Sequence, residues 1–121
     1  MRPLLPLFLL IASLSAFAAD TTTAIKGVLL DTFCYDRLKP KGHLEISSAM
    51  HSRDCLRAPL CSRGGFGVLT EDKRYIKFDQ DGNEKVRKFI ATFSRETDIR
   101  ITVTGAVDGD KMTITKIELQ Q

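Results

Sequence analysis

The sequence contains no tryptophan, and aromatic residues make up only 7% of it. Stacking platforms for nucleobases or sugars are therefore scarce. Cysteine is also sparse. Three in 121 residues are too few for a miniprotein held together by disulfides. There is no CxxC pair, which excludes the usual zinc-finger spacing, the thioredoxin-type redox motif and the CxxCH of covalent haem attachment. No apolar run reaches the roughly 18 residues of a spanning helix. Gly64-Gly65-x-Gly67 lacks both the lysine of a phosphate loop and the six-residue spacing of a dinucleotide fold, so it reads as a turn. Repeats and low-complexity segments are absent. The formal charge of +3 is scattered, so no nucleic acid partner is expected.

The first segment is an address. Arg2 precedes an uncharged apolar run over residues 3–14, and small Ala16 and Ala18 stand where a signal peptidase reads. Residues 1–18 are expected to be a secretory signal peptide cut after Ala18. No cysteine follows the cut, which argues against a lipoprotein, and no stable membrane anchor is expected afterwards. Residues 19–121 are then a single small domain, exported to a bacterial periplasm or secreted. There, cysteines meet an oxidising environment.

Residues 24–33 are apolar on both faces around Val28-Leu29-Leu30 and read as a buried strand. Gly27 within it marks a bend or a close backbone approach. Residues 44–57 lack Gly and Pro and read as a helix, ended by Pro59. Residues 66–70 and 74–79 form a hairpin. Residues 84–94 are a helix with Val86, Phe89, Ile90 and Phe93 on one stripe, capped by Asp81 or Asn83. Residues 99–105 and 112–119 are the last two strands. The apolar phase of the final strand switches between Met112/Ile114 and Ile117/Leu119, which predicts a bulge near Thr115-Lys116.

The fold expected is mainly β. It is a five-stranded OB-like barrel with two helices: a helical insert after strand 1 and a helix between strands 3 and 4. A small α+β roll is the alternative. An OB-type barrel raises oligonucleotide or oligosaccharide binding, for which Tyr75, Lys77 and Arg100 are the face to nominate. Lys85, Arg87 and Lys88 read as the wet face of the second helix.

The chemistry concentrates in Cys34, His51, Cys55 and Cys61. On a continuous helix His51 and Cys55 stand at i and i+4, on one face and within reach of one ion. Cys61, beyond the proline, can fold back to them, and Cys34 leaves the end of the first strand. Three thiolates and an imidazole make a closed tetrahedral site for zinc, and soft thiolates also suit copper(I). His43 is a spare imidazole and Met50 a further soft contact. Asp31 either orients a ligand histidine or is a solvated acid at a strand end. The competing reading of the same cysteines is a disulfide between two of them, with the third left over. A leftover thiol beside His51 would be activated for exchange. A thiol enzyme would have nucleophile and base, but no oxyanion device is visible.

These residues sit in a wider frame. It runs G-V-L-L-D-T-F-C (27–34), H-S-R-D-C (51–55), L-C (60–61), G-G-F-G-V-L-T (64–70), Y-I-K-F-D (75–79), G-N (82–83) and V-T-G-A-V-D-G-D (103–110). The frame resembles a group of small secreted bacterial proteins of unknown function. The resemblance implies a compact, barrel-like exported domain and no particular activity. The leading expectation is a binding protein whose Cys/His cluster holds zinc or copper or forms a redox-responsive disulfide. The alternative is a non-catalytic module that binds a small ligand or a protein, with a purely structural disulfide.

Overall fold

A computed structural model describes residues 22–121. The expected signal peptide, 1–18, and residues 19–21 lie outside the described residues. Five strands form the barrel: β1 (Thr22–Asp31), β2 (Phe66–Leu69), β3 (Tyr75–Phe78), β4 (Arg100–Asp108) and β5 (Lys111–Leu119). They close in the neighbour order β1-β2-β3-β5-β4. Only β3 and β5 run parallel, and they meet at Lys77–Lys111 and Phe78–Met112. Helix α5 (Gln80–Ile90) connects β3 to β4. Closure, strand order and helix position are those of the expected OB-like barrel rather than of an open roll.

The long strand β1 makes closure possible. Its first part pairs with β4 and its last part with β2, and Val28 borders both. At the changeover a Cβ on Gly27 would lie 2.2 Å from the Leu69 carbonyl oxygen, so only glycine lets β1 cross there. The expected bulge is present. Thr104 pairs with Lys116 but Gly105 pairs with Ile114, which leaves Thr115 as the extra residue on β5. The core fills the barrel: Leu29, Val68, Ile76, Ile101, Val103 and Ile114 meet there under α5, which contributes Val86 and Ile90.

Helix α5 starts earlier than expected. Asp79 is its cap, accepting from the Gly82 N–H at 2.8 Å. Asn83 instead accepts from the Phe66 N–H at 2.9 Å, tying the helix to the start of β2.

The insert departs most from expectation. The sequence reading has two helices in all, but the described residues hold five. The insert supplies four short ones: α1 (Thr32–Leu38), α2 (Leu44–Ala49), α3 (Arg53–Arg57) and α4 (Pro59–Ser62), with a 3-10 turn over Lys39–Lys41. The expected helix over 44–57 is broken between α2 and α3. Ser52 is extended (φ −93°, ψ 154°) and caps α3 through a bond from the Cys55 N–H. A local cap there outweighs helix propensity, because an extended cap residue cannot continue the helix before it. Pro59 ends α3 as expected and also opens α4, where its fixed φ and missing N–H cost nothing.

A candidate thiol-carboxylate metal site on the insert

The site grows from the end of β1. Leu29 points into the barrel core, while Leu30 packs outside it with Leu69 and Tyr75. This second, smaller cluster is the seat of the insert. Tyr35 of α1 stacks on Tyr75 with ring centroids 4.0 Å apart. The Tyr75 hydroxyl donates to the Leu30 carbonyl at 2.8 Å and receives the Thr32 hydroxyl at 3.1 Å. Burial pushes the Tyr75 phenol far above its ordinary range. The sequence places Tyr75 on an open binding face, but it is buried under Tyr35 of α1. Lys77 beside it is exposed, so the aromatic and its neighbour do not share a wet surface.

Asp31 follows and is fully buried. The expectation of a solvated acid at a strand end is overturned. One carboxylate oxygen caps α1 by accepting from the Cys34 N–H at 2.8 Å. The other meets His51 Nε2 at 2.7 Å. His51 stands in the break between α2 and α3, not on a helix with Cys55, so the i,i+4 geometry expected for that pair does not occur. The ring is brought in by the fold instead, and its side chain is only 8% exposed.

Each cysteine is the third residue of its own short helix: Cys34 of α1, Cys55 of α3, Cys61 of α4. The three helices are held independently. Leu56 plugs α3 into the barrel core, and the Arg53 N–H donates to the Glu96 carbonyl at 2.8 Å. Gly65 (φ 84°) turns the chain out of α4 and accepts from the Thr32 N–H at 3.0 Å, which joins the end of the insert to its beginning. A Cβ on Gly65 would lie 2.6 Å from the Asn83 side chain, so a larger residue would push away the contact that starts β2.

The three sulfurs converge. Cys34 and Cys55 are 3.9 Å apart, Cys34 and Cys61 4.0 Å, and Cys55 and Cys61 3.3 Å. A tetrahedral zinc ion with bonds of about 2.3 Å to sulfur spaces its thiolates about 3.8 Å apart, so the set is near the size of an ion. The donors of Asp31, Cys34, Cys55 and Cys61 all lie within 4.8 Å of one another. His51, expected as the fourth ligand, is not in this group; its Nε2 is bonded to Asp31 instead. Exposed His43 lies outside it as well. No disulfide is formed among the described residues.

Asp31 is the member that the sequence reading did not place among the donors. The signal for it was D-T-F-C, the spacing of an Asp helix cap bonded three residues ahead. The same spacing recurs in S-R-D-C, where Ser52 caps Cys55.

Electrostatics explain what the arrangement asks for. Burial pushes the Cys34 thiol well above its ordinary range, and the charge of Asp31 and its contact with Cys34 add to this. Burial also pushes Cys55 up to about 11, reinforced by contact with Cys61. A buried carboxylate, the buried Cys61 and the half-buried Cys34 and Cys55, packed this closely, cannot all be anionic without a cation among them. A divalent or soft monovalent ion removes that conflict and expels the thiol protons.

A cleft of about 360 Å³ reaches the cluster from outside. Cys34, Cys55 and His51 line it, together with Arg37, Lys41 and exposed Met50. Cys61 is buried and does not line it. Comparison with family models, curated proteins and solved structures finds no match for this chain.

Proposed function

We propose that this is an exported bacterial binding protein that holds one soft metal ion, zinc or copper(I), through Cys34, Cys55 and Cys61. Asp31 lies beside the ion and His51 orients Asp31. The observation that carries the reading is the convergence of three unpaired thiols on a fully buried carboxylate within 4.8 Å. Soft sulfur donors favour zinc and copper(I) over calcium or magnesium, which seek oxygen. Carboxylates at metal sites are commonly fixed by a further hydrogen bond, the part His51 plays for Asp31. Export is part of the proposal and rests on residues 1–18.

The test is native mass spectrometry of protein exported to a periplasm and purified without chelator, with a free-thiol count after denaturation. One bound ion with three free thiols is the expected result. A metal-free mass with one free thiol replaces the reading with a disulfide protein. A specific observation supports that second reading. Cys55 and Cys61, at 3.3 Å, are the closest pair. Their oxidation would give two electrons and two protons to a disulfide-bearing oxidant and would leave Cys34 as the free thiol.

A further inference from the structure

The cleft has features that holding an ion does not require. Both oxygens of Asp31 are already engaged, one by the Cys34 N–H and one by His51. The carboxylate is thus a poor candidate for a full coordination bond unless it gives up a partner. The three sulfurs leave a tetrahedral ion one position short. Two of these sulfurs, those of Cys34 and Cys55, face the cleft, while Cys61 and Asp31 are buried away from it. The fourth position of an ion bound to the three sulfurs would therefore open toward the cleft.

Away from the cysteines, the charged side chains lining the cleft are both cationic. Arg37 and Lys41 line it, and no carboxylate does among the described residues. Neither cation makes an ion pair among the described residues, although Lys39, Lys73, Lys85, Arg100 and Lys116 all do. The Arg37 guanidinium lies 5.5 Å from the centre of the Phe33 ring, which leaves its N–H edge for an anion. The volume of about 360 Å³ is that of a small-molecule site, too small for a folded partner.

We propose that the cleft takes a small carboxylate-bearing thiol, whose sulfur completes the coordination of the ion held by Cys34, Cys55 and Cys61 while its carboxylate meets Arg37 and Lys41. This rests on the metal reading above. On binding, a sulfur–metal bond forms, the ligand's thiol proton goes to water, and the water at the fourth position leaves. No electron is transferred. The ion is then cargo that can be handed between the protein and a soluble thiol, not a sealed structural part. A soft donor is favoured because the other three are soft, and the one imidazole at hand is held off by Asp31.

The experiment uses the mature protein loaded with cobalt(II) as a spectroscopic probe and, separately, with zinc for native mass spectrometry. Each is titrated with mercaptosuccinate, 2-mercaptoethanol and succinate. Mercaptosuccinate is expected to form a ternary complex and to raise the sulfur-to-cobalt charge-transfer absorption by about a third, as three thiolates become four. It should bind about tenfold more tightly than 2-mercaptoethanol, the scale of two partly exposed ion pairs. Succinate should leave the absorption unchanged. In Arg37→Ala and in Lys41→Glu, the preference for mercaptosuccinate over 2-mercaptoethanol should shrink; this ratio is independent of how well each variant loads. Equal binding of the two thiols, or no ternary complex with a fully loaded protein, overturns the inference and leaves the metal reading standing. A protein that takes up neither cobalt nor zinc ends both.

Discussion

In the barrel, burial follows the strand. Along β4, Ile101, Val103 and Gly105 are buried and the residues between them are less so, and along β5 Met112 and Ile114 repeat the alternation. In the insert, burial follows no period. Leu56 reaches the barrel core, Tyr35 stacks on its outer wall, and Ile46, Met50 and Leu60 stay more than half exposed. Position there is set by caps and single anchors: Asp31 on α1, Ser52 on α3, Pro59 at the start of α4. The barrel is a structure that its own apolar surface can stabilise. The insert is a set of short pieces, each too short to be helical alone, pinned where three thiols meet. The chemistry lies in the second kind of structure because its geometry is free of a repeating pattern.

That contrast can be broken by substitution, and the largest effect should come from the barrel. Ile101→Ala removes a fully buried side chain and should cost about 2–5 kcal/mol in urea unfolding of the metal-free protein. The folded fraction should still take up one ion. If Cys34→Ser destabilises the metal-free barrel as much, the two regions are not separable and the comparison fails.

Within the insert, Asp31→Asn sharpens the comparison. Asparagine also caps helices, so α1 should persist. Metal affinity should fall by about 10- to 100-fold, as for the loss of other groups that support a metal site. In the metal-free variant, however, Cys34 should alkylate faster, because the Asp31 charge no longer opposes its thiolate. Weaker metal binding with slower alkylation would indicate a collapsed insert instead. His51→Ala should weaken metal binding in the same direction while leaving the ion bound through sulfur. Complete loss of the ion in His51→Ala would make the imidazole itself a ligand.

The next effect is on pH. Cys55 in the fold is pushed up to about 11 from an ordinary thiol value of about 9. A folded-state value that is raised means the folded protein holds its proton more tightly than the unfolded chain. Its contribution to stability is fully present below about pH 9 and is lost as the pH rises through about 11. Urea midpoints of the metal-free protein should fall across that window, and zinc should abolish the fall by removing the proton at neutral pH. An unchanged midpoint from pH 9 to 11 would contradict the shift. The smallest effect should be at the surface. Asp36→Ala breaks the exposed pair with Lys39 at 3.2 Å and should change stability by less than about 1 kcal/mol. A larger loss would show that α1 depends on more than Asp31 and Tyr35.

The strands were readable because alternation is a local property. The same holds for the bulge at Thr115, visible as a phase switch between Ile114 and Ile117, and for Gly27, whose place inside an apolar strand signalled a close approach. The insert was readable only as composition. A break at Ser52 competes with a run of helix-compatible residues, and the winner depends on Leu56 finding the core and on the Arg53 N–H finding the Glu96 carbonyl, both long-range contacts. Of the two readings open for Asp31, the solvated acid fails and contact with a histidine holds, a choice the sequence alone does not make. An acid at a strand end is usually wet, and only the arrival of His51 and the insert above it makes this one dry.

The amino-acid order alone thus points to a barrel ahead of a roll, and carries its strand phases, its crossing point and the three cysteines, since each is written in neighbouring residues. Tertiary structure decides that those thiols meet, that a buried carboxylate joins them, that His51 bonds to it, and that a cleft bearing Arg37 and Lys41 leads in. These are distances between segments far apart in sequence, and no local pattern encodes a distance that three separate helices and the end of a strand must agree on.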